Sequence, residues 1–170
     1  MAATASLVSV EEYLKSTHDP DWEFVSGVLE ERAVGEYDHA TWQTILAGFL
    51  NSRGIEWGVK ARTELRVQVA SDAFRVPDVT LLSRQSPREQ IITHPPLAVF
   101  EILSPEDTMT RMLEKLIEYE RMGIAAIWVI EPKKPAYYRF SEGKLEPADL
   151  FALPGTDFTV PISEIAALID

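Results

Sequence analysis

Apolar and polar residues recur along this chain in short blocks whose spacing separates helices from strands. Trp42, Ile45, Leu46, Phe49 and Leu50 fall at i, i+3, i+4, i+7 and i+8, one apolar helix stripe that Asp38 would cap and residues 51–54 would close. Met112, Leu116, Tyr119 and Met122 mark a similar face on a helix predicted over 108–122 and stopped at Gly123. Ser9 and Glu12 have the spacing of a capping box, which predicts a short helix over 10–16 ended by the polar segment 17–21.

Strand patterns fill much of the remainder. Residues 22–25 and 28–32 flank Ser26-Gly27 as a hairpin would. Strands are also predicted over 56–60 and over 64–69, where Leu65, Val67 and Val69 alternate with Glu64, Arg66 and Gln68. Residues 76–82 form another, and 97–103 is nearly continuously apolar, as suits the centre of a sheet. Between those two, 86–92 has the composition of a short helix before the break at His94-Pro95-Pro96. A buried strand over 125–131 and a strand over 135–140 follow, with Leu145 returning as a hairpin partner. Ser163 would cap a last helix ending at 168. Strand 97–103, helix 108–122 and strand 125–131 together have the length of a βαβ crossover. The order predicts an α/β (α+β) fold, a central mixed β-sheet flanked by helices, in one domain over residues 1–170.

Composition narrows the chemistry. The chain has no cysteine, which removes disulfides, thiolate metal sites and cysteine nucleophiles. Residues 1–8 lack the basic and apolar regions of a signal peptide, and no apolar run approaches the roughly 20 residues that span a bilayer, so cytoplasm is the expected compartment. The net charge of −11 weighs against a nucleic-acid partner, which normally meets a basic face. Several arginines and lysines nevertheless fall in the middle third of the chain, where a local basic cleft on an acidic body remains open.

Within this frame two carboxylates stand out. Asp78 follows Pro77 at the entrance to an apolar strand, and Glu101 interrupts Leu97-Ala98-Val99-Phe100 and Ile102-Leu103. Two such oxygens can hold a hard cation such as Mg²⁺, and an ammonium nearby can orient water or stabilise a phosphoryl charge. Asp78 alone reads better as a strand-edge charge. Glu101 does not, because a carboxylate in a central strand needs a partner, a metal or an altered pKa. Lys115, among Arg111, Glu114 and Glu118, has the setting of an ordinary surface lysine. Glu23, between Trp22 and Phe24, is either a third carboxylate or an outward charge, and His39 sits at a helix start. His18 and His94 lie in loops, and the three histidines lack the close helical spacing of a zinc motif. Serine-hydrolase and phosphate-loop glycine patterns are absent.

Read in order, Trp22-Glu23, the turn at Gly27, His39, Pro77-Asp78-Val79, Pro96-Leu97, Glu101-Ile102-Leu103-Ser104-Pro105, Lys115, Tyr119, Gly123-Ile124 and Trp128 resemble the Uma-two type family of putative restriction endonucleases. The likeness runs over residues 9–140 and is most specific from Glu101 to Trp128. It implies a restriction-endonuclease-like PD-(D/E)xK core in which Asp78 and Glu101 ligate Mg²⁺ or Mn²⁺. The usual lysine two residues after the glutamate is replaced by Leu103, so the resemblance assigns that role to Lys115 on the following helix. Glu23 would be the family's early extra acid and His39 its helix-start histidine. The chain departs from the pattern at Ser26, where aspartate is common, and at Ala125-Ala126-Ile127, where Pro-Glu-Tyr is usual.

The leading expectation is a Mg²⁺-dependent DNA endonuclease hydrolysing phosphodiester bonds, with Asp78, Glu101, Lys115 and Glu23 in its site and His39 in support. A homodimer would suit cleavage of both strands. A catalytically inactive binding or assembly protein on the same scaffold is the alternative, favoured by the acidic charge, the missing E-x-K and an exposed-looking set of Trp22, Trp42, Trp57 and Trp128. A metal-dependent hydrolase acting on a small phosphorylated substrate is a third.

Overall fold

The structure is a computed structural model that describes residues 7–17, 22–33 and 35–169. His18, with most of the polar segment expected to end the first helix, lies outside the described residues, as does most of the N-terminal stretch considered as a leader.

Six strands make the main sheet, in the order β10 (Lys144–Pro147), β9 (Ala136–Ser141), β8 (Ala126–Glu131), β7 (Ala98–Ile102), β6 (Val79–Ser83), β3 (Val59–Thr63). Strands β7 and β8 are parallel, joined by helix α3 (Met109–Met122), and the other pairs are antiparallel. The mixed sheet and the βαβ unit follow the expectation. A second sheet has the order β2 (Val28–Glu30), β1 (Glu23–Val25), β5 (Ala73–Arg75), β4 (Val67–Ala70). Its hairpin turns through Ser26 and Gly27, both at positive φ (47° and 88°), where glycine carries no Cβ penalty. Ser26 is held there by its amide on the Asp72 carbonyl (2.9 Å) and its hydroxyl on the Asp72 carboxylate (3.0 Å).

Side-chain parity divides the main sheet into two unlike faces. Val79 and Leu81, Ala98, Phe100 and Ile102, and Ala126, Trp128 and Ile130 point to a wholly apolar layer beneath helix α2 (Tyr37–Ser52). There Trp128 stacks on Phe100 at 5.2 Å, and Phe151 meets both rings edge-on. Phe151 comes from β11 (Leu150–Ala152), which pairs with β12 (Thr159–Pro161) and leads into helix α4 (Ile162–Ala166). On the opposite face Val99, Ile127 and Val129 pack under Met112, Leu116 and Tyr119 of α3. The residues that alternate there are Thr80 and Glu101, both buried.

Several local expectations are corrected. Residues 86–92 form no helix; Ile92 bridges to Val67 instead, so the segment serves as an extra edge contact. The strand predicted over 76–82 begins only at Val79, as β6, and Val76-Pro77-Asp78 separate it from β5, because Pro77 supplies no amide to a ladder. The strand expected over 56–60 begins only at Val59, after a turn, and β11 and β12, three residues each, were not anticipated. Helix α2 starts at Tyr37 with Glu36 as its N-cap, so Asp38 lies in the first turn, and Ser163 lies inside α4 instead of capping it. Helix α1 (Val10–Lys15) does carry both halves of the capping box. The tryptophans are not an exposed set: Trp42 and Trp128 are buried, and Trp57 packs edge-on against Phe158 at 4.8 Å. Ala126 and Ile127 are likewise buried in β8, so the departure from Pro-Glu-Tyr changes the sheet interior and leaves only Ala125 at the surface.

Strand β3 is an edge of the main sheet, and Asn51 closes part of that edge. Its amide donates to the Ala61 carbonyl (3.1 Å) and its side-chain oxygen accepts the Ala61 N–H (2.9 Å). Asn51→Ala should lower unfolding free energy by about 1–2 kcal/mol. Urea denaturation checks this, with the midpoint falling at an unchanged m-value.

Candidate active site

The carboxylates singled out in the sequence meet at one end of the β6–β7 ladder. The register pairs Val79 with Phe100, which sets Asp78 and Glu101 at adjacent positions on neighbouring strands. Asp78 is stitched into the sheet: its Oδ2 accepts the Ile102 N–H at 2.7 Å, the bond a further strand residue would otherwise make. Its Oδ1 meets Arg32 Nη2 at 3.0 Å and His39 Nε2 at 3.3 Å, and Gln43 donates to its carbonyl at 3.0 Å.

Glu101 is held from α3. Lys115 Nζ donates to Oε2 at 2.9 Å and the Tyr119 hydroxyl to Oε1 at 2.6 Å, so two residues one helical turn apart take the two oxygens. The Lys115 ammonium is also 3.1 Å from Glu23 Oε1. Lys115 is therefore a largely buried cation between two carboxylates, not the surface lysine its neighbours suggested. Glu23 points inward, accepts the Val76 N–H at 3.0 Å and pairs with Arg75 at 2.9 Å. Arg75, 2% exposed at its side chain, is gripped by three acids in all, reaching Glu30 at 2.8 Å and Glu118 at 2.6 Å.

Asp78, Glu101, Lys115, Glu23 and His39 thus form one connected cluster. His94 stands apart, paired with Glu89 at 2.9 Å. Sequence reasoning did not single out Arg32, Arg75 or, as a site residue, Tyr119. Arg75 had a readable signal, a charge between Phe74 and Val76. Tyr119 was assigned to the apolar stripe, where its ring does belong while its hydroxyl serves Glu101. Nothing local marks Arg32.

The electrostatics follow from three buried carboxylates around one ammonium. Burial raises the Glu101 pKa most; the Lys115 charge opposes this, while Asp78 and Glu23 add to it, leaving Glu101 pushed up to about 7. Burial works the same way on Asp78, but its His39 hydrogen bond and the charges of His39, Lys115 and Arg32 hold it below the usual carboxylate range. Glu23 is also held low, because Lys115, Arg75 and the Val76 amide outweigh its burial. Burial would lower Lys115 and His39, yet the facing carboxylates keep both raised. Glu101, raised chiefly by burial, is thus the acid of the cluster that gives up its proton last.

Beside these groups lies a polar cavity of about 30 Å³ bordered by Arg32, His39, Asp78, Glu101, Asp107 and Lys115. That volume holds a water molecule or a small ion. Among the described residues no three His, Asp or Glu groups converge to hold a metal by themselves. The donors nevertheless suit Mg²⁺, which binds through one or two carboxylates and fills its remaining positions with water and phosphate oxygens.

A family model described as "Uma2: Putative restriction endonuclease" matches residues 10–161. Among solved structures, the chain is similar to "a putative nuclease belonging to DUF820 from Anabaena variabilis ATCC 29413", with TM-score 0.81 and 22% identity over 94% of this chain and 98% of that one. That likeness is one of fold. A DrdV–DNA complex overlaps more loosely, with TM-score 0.41 and 15% identity over 72% of this chain and 10% of that one. No curated protein matches.

Because the folded pKa of Glu101 lies above its ordinary 4.5, its contribution favours folding below that value and is lost as pH rises through about 7. In metal-free solution the melting temperature of Glu101→Gln, which cannot ionise, should rise relative to the parent across that window. A difference that stays constant from pH 4.5 to pH 7 would contradict the buried-charge account.

Proposed function

The chain belongs to the Uma2 family of putative restriction endonucleases, and from that premise we propose that it is a Mg²⁺- or Mn²⁺-dependent DNA endonuclease hydrolysing phosphodiester bonds at the Asp78–Glu101–Lys115 cluster. The observation that carries the reading is the position of Lys115. From the helix after β7 it reaches Glu101 at 2.9 Å, although the residue two places after Glu101 is Leu103.

In this reading Asp78 and Glu101 hold the ion. When bound, the ion would lower the pKa of a water and polarise the scissile phosphate. The protein's own groups do the rest. Lys115, already charged and facing the cavity, orients the attacking water and offsets charge developing on the phosphate. Tyr119 fixes the rotamer of Glu101, while Arg32 and His39 fix that of Asp78. Glu23, anchored by Arg75, keeps the ammonium placed between two carboxylates and is an auxiliary base or ligand. A cation bound beside Glu101 would favour its ionised form, against the burial that raises its pKa. Cutting both strands calls for two such sites, which a two-fold pair of chains would supply.

One observation favours a second reading, a binding protein on an inactive nuclease scaffold. Every oxygen of Asp78 and Glu101 already has a partner within the chain, so the cluster closes on itself without an ion.

Plasmid cleavage in Mg²⁺ separates the two. Asp78→Ala or Glu101→Ala should cost at least about 100-fold in rate, and Lys115→Ala a comparable factor, with circular dichroism unchanged. Calorimetry should show Mg²⁺ or Mn²⁺ binding that Glu101→Gln weakens. Cleavage that persists in the Asp78/Glu101 double variant would remove this site from the chemistry. Absence of both cleavage and ion binding in the parent chain would favour the second reading.

A further inference from the structure

In a chain with 27 acids and 16 lysines and arginines, cations that gather around one cavity without a carboxylate partner are informative. Lys60, Arg62 and Arg88 are such a group. None of the three has a carboxylate partner among the described residues. Lys60 Nζ donates to the Ser86 carbonyl (3.0 Å) and Arg62 to the Ala61 carbonyl (2.7 Å), contacts that position the side chains and leave their charges unbalanced. They line part of the rim of a cavity of about 450 Å³ with an apolar floor of Leu65, Leu82 and Ile92. Glu89, the one acid on its rim, is turned away to Thr93 (3.1 Å) and His94 (2.9 Å).

Placement along the strand gives this group a direction. Lys60 and Arg62 stand two residues apart on β3, opposite Leu82 and Thr80, and so on the same face of the sheet as Glu101. Two strand steps span about 6.8 Å, roughly the axial rise of two nucleotides on one DNA strand. Continuing along the ladder, Thr63 pairs with Val79, and the Glu64 N–H donates to the Asp78 carbonyl at 3.3 Å. The cationic row therefore runs along β3, the edge strand of the sheet, and ends beside the carboxylate cluster.

We propose that Lys60, Arg62 and Arg88 form a docking site for the phosphate backbone of a nucleic-acid strand, leading it along β3 toward Asp78. The assignment of that destination rests on reading the cluster as a phosphodiester nuclease; the docking site itself does not. A row of cations open to solvent along an edge fits a continuous polyanion. A small phosphorylated molecule would need convergent donors closing over it, and here the cations are spread along a rim.

The test measures binding without cleavage. Fluorescence anisotropy of a labelled DNA duplex in EDTA is recorded between 50 and 200 mM salt, the range over which phosphate contacts show most strongly. The Lys60→Ala/Arg62→Ala/Arg88→Ala variant should bind more weakly, and its slope of log K against log salt should be shallower by about 2.7, some 0.9 for each contact. Arg88→Ala alone, an exposed residue outside any strand, should lose about 0.9 and guards against a folding artefact. Equal slopes for the parent and the triple variant would overturn the proposal. So would an absence of duplex binding by the parent at 50 mM salt, or displacement by inorganic phosphate or a mononucleotide as effective as by unlabelled duplex. The nuclease reading fails separately: duplex binding that depends on these cations, in a chain that cleaves with no metal, would retain the docking site and remove the chemistry.

Discussion

A carboxylate in the middle of a buried strand must be neutralised, and the elements around Glu101 are arranged to meet that requirement. Leaving such a charge unpaired would cost several kcal/mol, a large share of the stability of a domain this size. Helix α3 lies across β7 with Lys115 and Tyr119 one turn apart, and those two side chains take both oxygens. The ammonium that neutralises Glu101 is itself shared with Glu23, which brings the second sheet to the same point. Arg75 then ties Glu23 to Glu30 and to Glu118 on α3. The packing of the small sheet against the helix is thus a chain of ion pairs that begins at one residue of the central strand.

The two faces of the main sheet divide the labour. The face under α2 is apolar throughout, with its density supplied by Trp128, Phe100 and Phe151. Such a layer sets the positions of the strands without constraining the chemistry on the other side. The α3 face carries Thr80, Glu101, Lys60 and Arg62 in alternation with apolar residues, and it holds both the carboxylate cluster and the cationic rim. A small local surplus of positive charge at the edge is compatible with the global charge of −11, because the acids gathered at the site are balanced by their own cations.

Elements with a long period were legible in the sequence, and so was the carboxylate that broke one. The stripes of α2 and α3 and the apolar run of β7 are extended patterns, each set by burial on one face. The strands β11 and β12 are too short to show a period, and the segment 86–92 looked helical only because its edge pairing with Val67 is made far away in sequence. At the site, Glu101 was visible as a charge where none should be buried. Lys115 and Glu23 could not be told from surface charges by their neighbours, since their burial depends on each other across more than half of the chain. The family likeness supplied what spacing could not, by setting Lys115 in register. Arg32 and Arg75 belong to the network only through tertiary contacts, and their partners lie 32 to 52 residues away in sequence.

The stitch between Asp78 and the Ile102 amide bears on how sequences of this kind can be interpreted. Asp78 completes a sheet hydrogen bond, anchors the start of α2 through His39 and receives Arg32. A descendant that had lost all activity would still gain stability from an aspartate there. Lys115 has no such backbone duty, since its contacts run only to the carboxylates of Glu23 and Glu101. Loss of Lys115 together with Glu101 across relatives would be the sharper record of lost chemistry, and the aspartate that catches the eye first is the poorer witness.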